Sequence, residues 1–349
     1  MSQLQEATER HRFDADRLAD YLAAHLPGFA GPLTVQQFRG GQSNPTYLLS
    51  TPAGRYVMRS KPAPAAKLLP SAHAIEREFR VMRALARHGV PVPEVLLLCE
   101  DESVIGRAFF LMQHVDGRIF WEQSLPGLQP AERGAIYDEM NRVIAALHSV
   151  DIERAGLADY GKAGNYFARQ IGRWSKQYRA SETEAIAAMD RLIEWLPSHV
   201  PPGDETAVVH GDFRLDNLIF DRQQARVLAI IDWELSTLGH PLADFSYLCM
   251  GWHIPPGAFR GIAGLDLASL GIPTEAEFVD RYCGRTGRGG IEHWDFYLAY
   301  NLFRIAAILQ GVYKRALDGM ASADNAAAAG ANARALAEIG WRYAQRSGA

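Results

Sequence analysis

Cysteine is scarce in this chain, long apolar runs are missing and positive charge is not in surplus. Each shortage excludes something. Cys99, Cys249 and Cys283 are odd in number, far apart and without CxxC spacing, so neither a disulfide framework nor a zinc site is expected. They fit instead as small apolar side chains of a core. The eleven histidines are scattered, with no HExxH or paired-ligand spacing, which argues against a structural transition metal. No apolar stretch reaches the roughly eighteen residues that a membrane helix needs. The first residues, MSQLQEATERHRFDADRL, mix acidic and basic groups, so the cytoplasm is the expected location and no membrane contact is expected. Lys and Arg number 36 against 40 Asp and Glu, a net charge of −4. That leaves no basic field for nucleic acid or an anionic lipid surface.

What is present is enough for a large core. The 349 residues are 48% hydrophobic and 22% charged, sufficient for two lobes of one soluble protein. The stretch 208–238, VVHGDFRLDNLIFDRQQARVLAIIDWELSTL, sets a short polar run between apolar, β-prone segments. Val208 and Val209 read as a strand end, 210–217 as a loop, 218–220 as a second strand and 227–231 as a third that delivers Asp232. Three strands are thus expected to bring Asp212, Asn217 and Asp232 to one edge.

The spacing His210-x-Asp212-x-x-x-x-Asn217, followed by an Asp directly after a hydrophobic strand, resembles the catalytic loop and magnesium-binding Asp of protein-kinase-like enzymes. Phosphoryl transfer needs a carboxylate to orient and deprotonate an attacking hydroxyl, which suits Asp212. It also needs hard oxygen ligands for Mg2+, which suit Asn217 and Asp232. Arg214, two residues after Asp212, stands where protein kinases commonly carry a Lys near the transferred phosphate, and its cation would offset charge developing there. The wording HGDFRLDN with IIDWE, in place of HRD and DFG, is similar to the aminoglycoside phosphotransferase and choline kinase branch. Since Trp233 and Glu234 follow Asp232, no Phe-driven in/out switch is expected.

That resemblance implies an α+β, protein-kinase-like bilobal fold. A small antiparallel-sheet lobe with a C-helix, residues 1–114, would bind the nucleotide, and a larger, mainly helical lobe, 115–349, would carry catalysis and the acceptor. ATP and Mg2+ are the implied cofactors. Along the first lobe, 13–26 spaces Leu18, Tyr21, Leu22 and Leu26 as an amphipathic helix stopped by Pro27-Gly28. Strands follow at 33–38 and 46–50, joined by a Gly-rich loop whose Gly40, Gly41, Ser43 and Asn44 can bring backbone N–H groups close to phosphate. The strand 55–60 offers Arg59 as the cation for the α and β phosphates, with Lys61 as the alternative. Residues 63–70 form a Pro/Ala-rich spacer long enough for a flap over the nucleotide. The stripe Ile75, Phe79, Met82, Ala86 predicts a helix over 71–88, with Glu78 as partner of the strand cation and Glu76 as the fallback. Strands at 95–98 and 108–113 lead to a hinge, where the main chain of Gln113, His114 and Val115 is the candidate contact for adenine.

In the second lobe, Ile136, Met140, Ile144 and Leu147 mark a long helix after Pro130, with its mate expected at 166–178. Asp244 in PLADF resembles the downstream Asp that supports the catalytic loop in these phosphotransferases, a structural role. From Thr274 the chain reads as helical to its end, with an Ala-rich helix around 321–336. Trp252, His253, Trp294 and Tyr300 are candidate lining for an acceptor pocket. Residues 240–349 hold ten acidic side chains against ten Lys and Arg, whereas a polycationic aminoglycoside calls for a pocket rich in carboxylate. Together, YVMRSKP, KLLPSAHAIEREFRVMRAL, HGDFRLDNLIFD and IDWELSTLGHPLADFSYL resemble the kinase-like domain fused to some acyl-CoA dehydrogenases and its free-standing bacterial cousins. The resemblance spans roughly residues 30–255. It implies a small-molecule hydroxyl acceptor, a 4-hydroxyacyl-CoA. The alternatives are an aminoglycoside-like or amino-alcohol acceptor, or a nucleotide-binding pseudokinase without transfer activity.

Overall fold

Period-two alternation along the first third of the chain and period-3.6 stripes beyond it govern which faces are buried. A computed structural model describes residues 4–39, 44–62, 74–319 and 326–349. Its strands are β1 (Leu4–Gln5), β2 (Thr34–Phe38), β3 (Thr46–Thr51), β4 (Gly54–Ser60), β5 (Val95–Cys99), β6 (Phe109–Gln113), β7 (Ala207–Val209), β8 (Leu218–Phe220), β9 (Val227–Ile230) and β10 (Thr237–Gly239). Its helices are α1 (Ala15–His25), α2 (Ile75–Leu85), α3 (Pro130–His148), α4 (Tyr166–Ser181), α5 (Ala187–Trp195), α6 (Pro241–Cys249), α7 (Leu267–Leu270), α8 (Glu275–Thr286), α9 (Trp294–Leu317) and α10 (Ala326–Arg346). These divide into two compact units. One comprises 1–119 with 152–160 and 216–236, the other 120–151, 161–215 and 237–349.

The first unit is built on an antiparallel sheet of order β1-β2-β3-β4-β6-β5. The two-residue β1, pairing Leu4 with Phe38 and Gln5 with Gln37, has no signal in the sequence because so short a run has no period. One face packs under α1. Leu18, Leu22 and Leu26 meet Tyr47, Leu49, Met58, Phe109 and Leu111 there, and Asp14 caps the helix by accepting from the amides of Asp16 and Arg17. Alternation then sends Arg59 and its cross-strand neighbour Phe110 to the other face. That face is covered by α2, whose Phe79 ring meets Phe110 edge-on at 6.2 Å. Of the helix predicted over 71–88, residues 71–73 lie outside the described residues. It begins at Ile75, and its last residues, Ala86–His88, form a 3-10 turn ended by Gly89 at φ +75°. The spacer 63–70 and Gly40, Gly41 and Ser43 lie outside the described residues.

The β8–β9 hairpin also belongs to this unit. Ile230 donates to the Pro91 carbonyl at 2.9 Å, and Arg118 and Phe220 exchange two 2.8 Å backbone bonds. Gly117 permits that approach, because a Cβ on it would stand 2.3 Å from the Phe220 carbonyl oxygen. The three strands expected around the polar run fall in two separate sheets. β8 pairs with β9, while β7 pairs with β10 in the second unit, matching Val209 to Thr237 and Ala207 to Gly239. β10 was not read from the sequence, since three residues after a 3-10 turn give alternation nothing to act on.

The second unit is helical. The stripe Ile136, Met140, Ile144, Leu147 is fully buried, but α3 packs chiefly on α8, with the buried Asn141 amide donating to the Phe278 carbonyl at 2.7 Å. The expected mate, α4, packs on α9 instead. From Thr274 the chain is helical with breaks, Gly287 at φ +71° ending α8, and the Ala-rich helix runs further than expected, to Arg346. Among the described residues no helix is long and apolar enough to cross a membrane.

His240 starts the buried helix α6. Its Nδ1 accepts from the Leu242 amide at 3.2 Å, and Pro241 follows at the first helical position. Burial is the main force pushing this imidazole down, to about 4. A base held below its ordinary 6.5 contributes stability that is complete above pH 6.5 and is lost as pH falls from there toward 4, because the unfolded chain takes up the proton first. Between pH 7.5 and 4.5 the wild type should lose about 2 kcal/mol more than His240→Asn, whose side chain still caps the helix but does not titrate. Urea midpoints at the two pH values measure this, and equal losses in both proteins would refute it.

Candidate active site

In each unit a cluster of buried polar side chains gathers around residues of the sequence motifs. In the first, β4 sends Arg59 beneath α2, where its side chain is 10% exposed. Its Nε donates to Glu78 Oε1 at 3.0 Å, and its Nη2 donates to Asp232 Oδ1 and to Glu234 Oε2, each at 3.0 Å. Asn44 Nδ2 donates to the same Oε1 of Glu78, also at 3.0 Å. Lys61 pairs separately with Glu76 on a more exposed part of the surface. Both sequence candidates for the cation thus find a glutamate, but the buried pair is Arg59 with Glu78. Burial would lower the guanidinium pKa, yet Glu78, Asp232 and Glu234 raise it further than burial lowers it. Burial, with the charges of Asp232 and Glu234, pushes Glu78 up to about 7 against the pull of Arg59. One cation serves three carboxylates here.

Asp232 reaches this cluster through backbone geometry. It adopts φ +68° and ψ +61°, a left-handed conformation that Asp tolerates better than most residues. The chain turns there from β9 into the 3-10 turn Trp233–Leu235. Trp233, 1% exposed, fixes the turn by donating from Nε1 to the Ile230 carbonyl at 2.9 Å. Asn217 immediately precedes β8, and its carbonyl accepts from the Ile231 amide at 2.9 Å. The two candidate metal ligands therefore stand at the same end of one hairpin, a register the sequence spacing implied. Among the described residues no group of three or more His, Cys, Asp or Glu has metal-holding geometry. A pair made of one amide and one carboxylate is the smaller set that Mg2+ accepts when phosphate and water complete its shell. At the hinge, Gln113 and His114 donate their amides to the Glu94 and Arg55 carbonyls, at 2.8 and 3.4 Å.

The cluster of the second unit is organised by Asp244 on α6. Its carboxylate accepts from the amides of His210 at 2.7 Å and Gly211 at 2.9 Å, and lies 3.2 Å from His148 Nε2. Burial would raise its pKa, but the bond and charge of His148, with His210, hold it below the usual range. Gly211, at φ +82°, takes the turn that a side chain would oppose. Arg304, itself buried, donates to the Gly211 carbonyl at 2.5 Å. Asp212 follows, its amide donating to His210 Nδ1 at 3.2 Å. Its Oδ1 accepts from the Tyr247 hydroxyl at 2.6 Å, and its Oδ2 lies 2.9 Å from Arg214 Nε.

Sequence reasoning placed Asp244 and missed Tyr247, Arg304 and His148. Tyr247 lies three residues after Asp244, one helical turn along the same face, so the helix period could have found it. Trp252, His253, Trp294 and Tyr300 brace helices instead of lining a pocket. Trp252 and Trp294 donate to the Pro273 carbonyl and to Glu275, both at 2.9 Å. His253 sits between Glu275 and Tyr343, 2.6 Å from each, and Tyr300 is fully buried. The cavity beside the Asp212 loop is walled by Phe213, Arg214, Tyr247, Met250, Phe259 and Arg260, among others, with no carboxylate in its lining.

A two-strand loop presenting a held aspartate, an Arg–Glu pair between sheet and helix, and an Asn/Asp pair on one hairpin define a small-molecule kinase of the protein-kinase-like fold. The model of the APH phosphotransferase enzyme family matches residues 34–300, and the chain belongs to that family. It is a phosphotransferase with a hydroxyl acceptor. It is 51% identical over 336 residues to mouse acyl-CoA dehydrogenase family member 10, which covers 95% of this chain but 31% of that relative's length. A crystal structure from Ralstonia eutropha, provisionally assigned as an aminoglycoside phosphotransferase, is 60% identical with a TM-score of 0.89, covering 96% of this chain and 99% of its own. A thermostable mutant of the aminoglycoside phosphotransferase APH(4)-Ia, in ternary complex with AMP-PNP and hygromycin B, shares the fold at 18% identity. Its TM-score is 0.59, with 93% of this chain and 98% of its own covered.

The Arg59 cluster carries a stability consequence. Arg59→Met leaves Glu78 buried without its cation, and should cost about 3 kcal/mol, whereas Arg59→Lys, which keeps charge but loses the fork, should cost about 1 kcal/mol. Denaturant midpoints decide this; equal midpoints for the Met variant and wild type would show that the ion cluster holds nothing together.

Proposed function

We propose that this protein transfers the γ-phosphoryl group of ATP to the hydroxyl of a 4-hydroxyacyl-CoA. The observation that carries the reading is Asp212, whose carboxylate is held between the Tyr247 hydroxyl and Arg214 on a loop whose backbone is fixed by Asp244. Such a carboxylate is placed to take a proton, and the motif around it is that of a phosphotransferase family. The acyl-CoA acceptor is supported by the 51% identity to an acyl-CoA dehydrogenase family member. Its support from this chain is the balance of ten acidic against ten basic side chains over residues 240–349, not the carboxylate surplus that a polycation calls for.

In this reading Asp212 orients the acceptor hydroxyl and takes its proton as the O–H bond breaks. The freed oxygen bonds to the γ-phosphorus in line with departing ADP, whose bond to that phosphorus breaks, and no phosphoenzyme forms. Arg214 balances charge on Asp212 and on the phosphoryl group in transit. Arg59, fixed by Glu78, binds the α and β phosphates. Gly40, Gly41, Ser43 and Asn44 are assigned to the phosphates of the nucleotide, and of these Asn44 is held by its bond to Glu78. Adenine is received by the main chain of Gln113, His114 and Val115. The amide of Val115 makes no hydrogen bond among the described residues, so it is the donor this reading assigns. Asn217 and Asp232 hold Mg2+, which fits a hairpin end carrying one amide oxygen and one carboxylate beside a cluster rich in negative charge. Bound there, Mg2+ would supply positive charge to the phosphates. Residues 1–114 are the nucleotide-binding lobe and 115–349 the catalytic and acceptor lobe, with 152–160 and 216–236 packing in the first unit.

The test is ADP release with Mg·ATP and a 4-hydroxyacyl-CoA. Asp212→Asn should lower kcat by at least about a hundredfold. Asp232→Ala should abolish Mg2+-dependent turnover while keeping a wild-type melting profile, since Arg59 retains Glu78 and Glu234. Turnover no higher than the Asp212→Asn control sinks the acceptor assignment, and full activity in the Asp232→Ala protein removes the metal role.

A further inference from the structure

Asp212 is held from outside its own loop by a side chain to which the sequence reading gave no role. The Tyr247 hydroxyl, on α6, donates to Oδ1 at 2.6 Å, while Arg214 Nε stands 2.9 Å from Oδ2. The tyrosine ring is 5% exposed, and the Arg304 guanidinium lies 5.3 Å from its centroid. Arg304 also donates to the carbonyl of Gly211, the residue preceding Asp212. The same cation thus steadies the loop backbone and the ring that reaches the carboxylate. Burial, followed by the Asp212 charge, pushes the phenol pKa up, so the hydroxyl stays protonated and can only donate to Asp212.

We infer that Tyr247 is a positioning residue for phosphoryl transfer, fixing the plane of the Asp212 carboxylate so that a lone pair faces the acceptor hydroxyl. The argument is geometric. Arg214 alone would draw the carboxylate toward a two-pronged ion pair, the arrangement a guanidinium prefers, and that would tie up the lone pairs a base must keep available. A hydroxyl bond on Oδ1 opposes that rotation. Asp244 serves both ends of this device, since one turn of α6 separates its grip on the His210 and Gly211 amides from the tyrosine. The inference rests on the reading of Asp212 as the base, and the experiment separates the two.

Four full-length proteins are compared by ADP release with Mg·ATP and 4-hydroxyacyl-CoA, and also without it, where water is the acceptor. They are wild type, Tyr247→Phe, Asp212→Asn, and wild type with 3-fluorotyrosine placed at position 247. Tyr247→Phe should lower kcat about tenfold to a hundredfold, as misplacement of a reacting group by a fraction of a bond length does. The KM values for ATP and acceptor should stay within about twofold, with an unchanged melting profile. The fluorinated residue remains a donor and should keep at least about half of the wild-type kcat. A Tyr247→Phe protein with wild-type kcat beside an inactive Asp212→Asn protein overturns the inference and leaves the base reading standing. An Asp212→Asn protein as active as wild type overturns both. A change in acceptor KM with kcat unaltered would make Tyr247 a binding contact and equally overturn the positioning role.

Discussion

The first unit depends on a single guanidinium. Arg59 is on the sheet, Glu78 on the helix that covers it, and Asp232 and Glu234 on the turn that ends β9. Three separate pieces of chain are thereby fixed to one side chain of known shape. Each bond is 3.0 Å, and Glu78 is almost fully shielded from water. A buried ion pair contributes little net stability after desolvation, but leaving any partner unpaired costs several kcal/mol. The cluster therefore specifies an arrangement more than it strengthens one, because a helix or hairpin displaced by one residue leaves a charge without its counter-ion. Asn44 adds to this by donating to Glu78, which attaches the chain just before β3 to the same point.

The second unit solves the matching problem of holding a loop that must carry a charged group. Asp244 uses its carboxylate as a rigid receptor for two consecutive backbone amides, and His148, itself 2.8 Å from the Tyr282 hydroxyl, braces that carboxylate from behind. Backbone donors satisfied in this way leave the loop with little freedom to fluctuate. Asp212 then inherits a defined position from its neighbours, and only its own carboxylate plane remains to be fixed. Tyr247 and Arg214 act on that last degree of freedom.

Much of this was legible from residue order. Alternation gave β2 and β4, short apolar runs gave β5 and β6, the 3.6-residue stripe gave α1, α2 and α3, and the HxDxxxxN spacing with a following Asp tied Asp212, Asn217 and Asp232 into one motif. Glu78 is the buried partner of Arg59 because it lies one helical turn from both Ile75 and Met82, which are buried. What escaped had physical reasons. β1 and β10 are too short to show a period, and their pairing is decided by distant chain. The partner of α3 was misjudged because an amphipathic stripe says which face is buried but not which helix buries it; the Asn141 bond to Phe278 decides that, and it spans 137 positions. The aromatic residues Trp252, Trp294 and Tyr300 could have been core or pocket by composition. Trp252 and Tyr300 are buried, and the half-buried Trp294 has its indole donor taken by Glu275.

The use of Arg rather than Lys at position 59 has its own logic. An ammonium is a point donor on a flexible stem, whereas the planar guanidinium projects Nε and Nη2 in fixed and different directions. Arg59 uses Nε for Glu78 alone and Nη2 for two carboxylates at once. Lys61, just past the end of the strand, pairs with Glu76 among the described residues, at a place where both partners are about a third exposed and solvent weakens the attraction. The division is useful where Asp232 has a second task. Because Nη2 also holds Glu234, Asp232 can give up its share of the guanidinium without leaving that donor buried and unpaired, and the helix, the strand and the turn stay joined while one carboxylate is released to other chemistry.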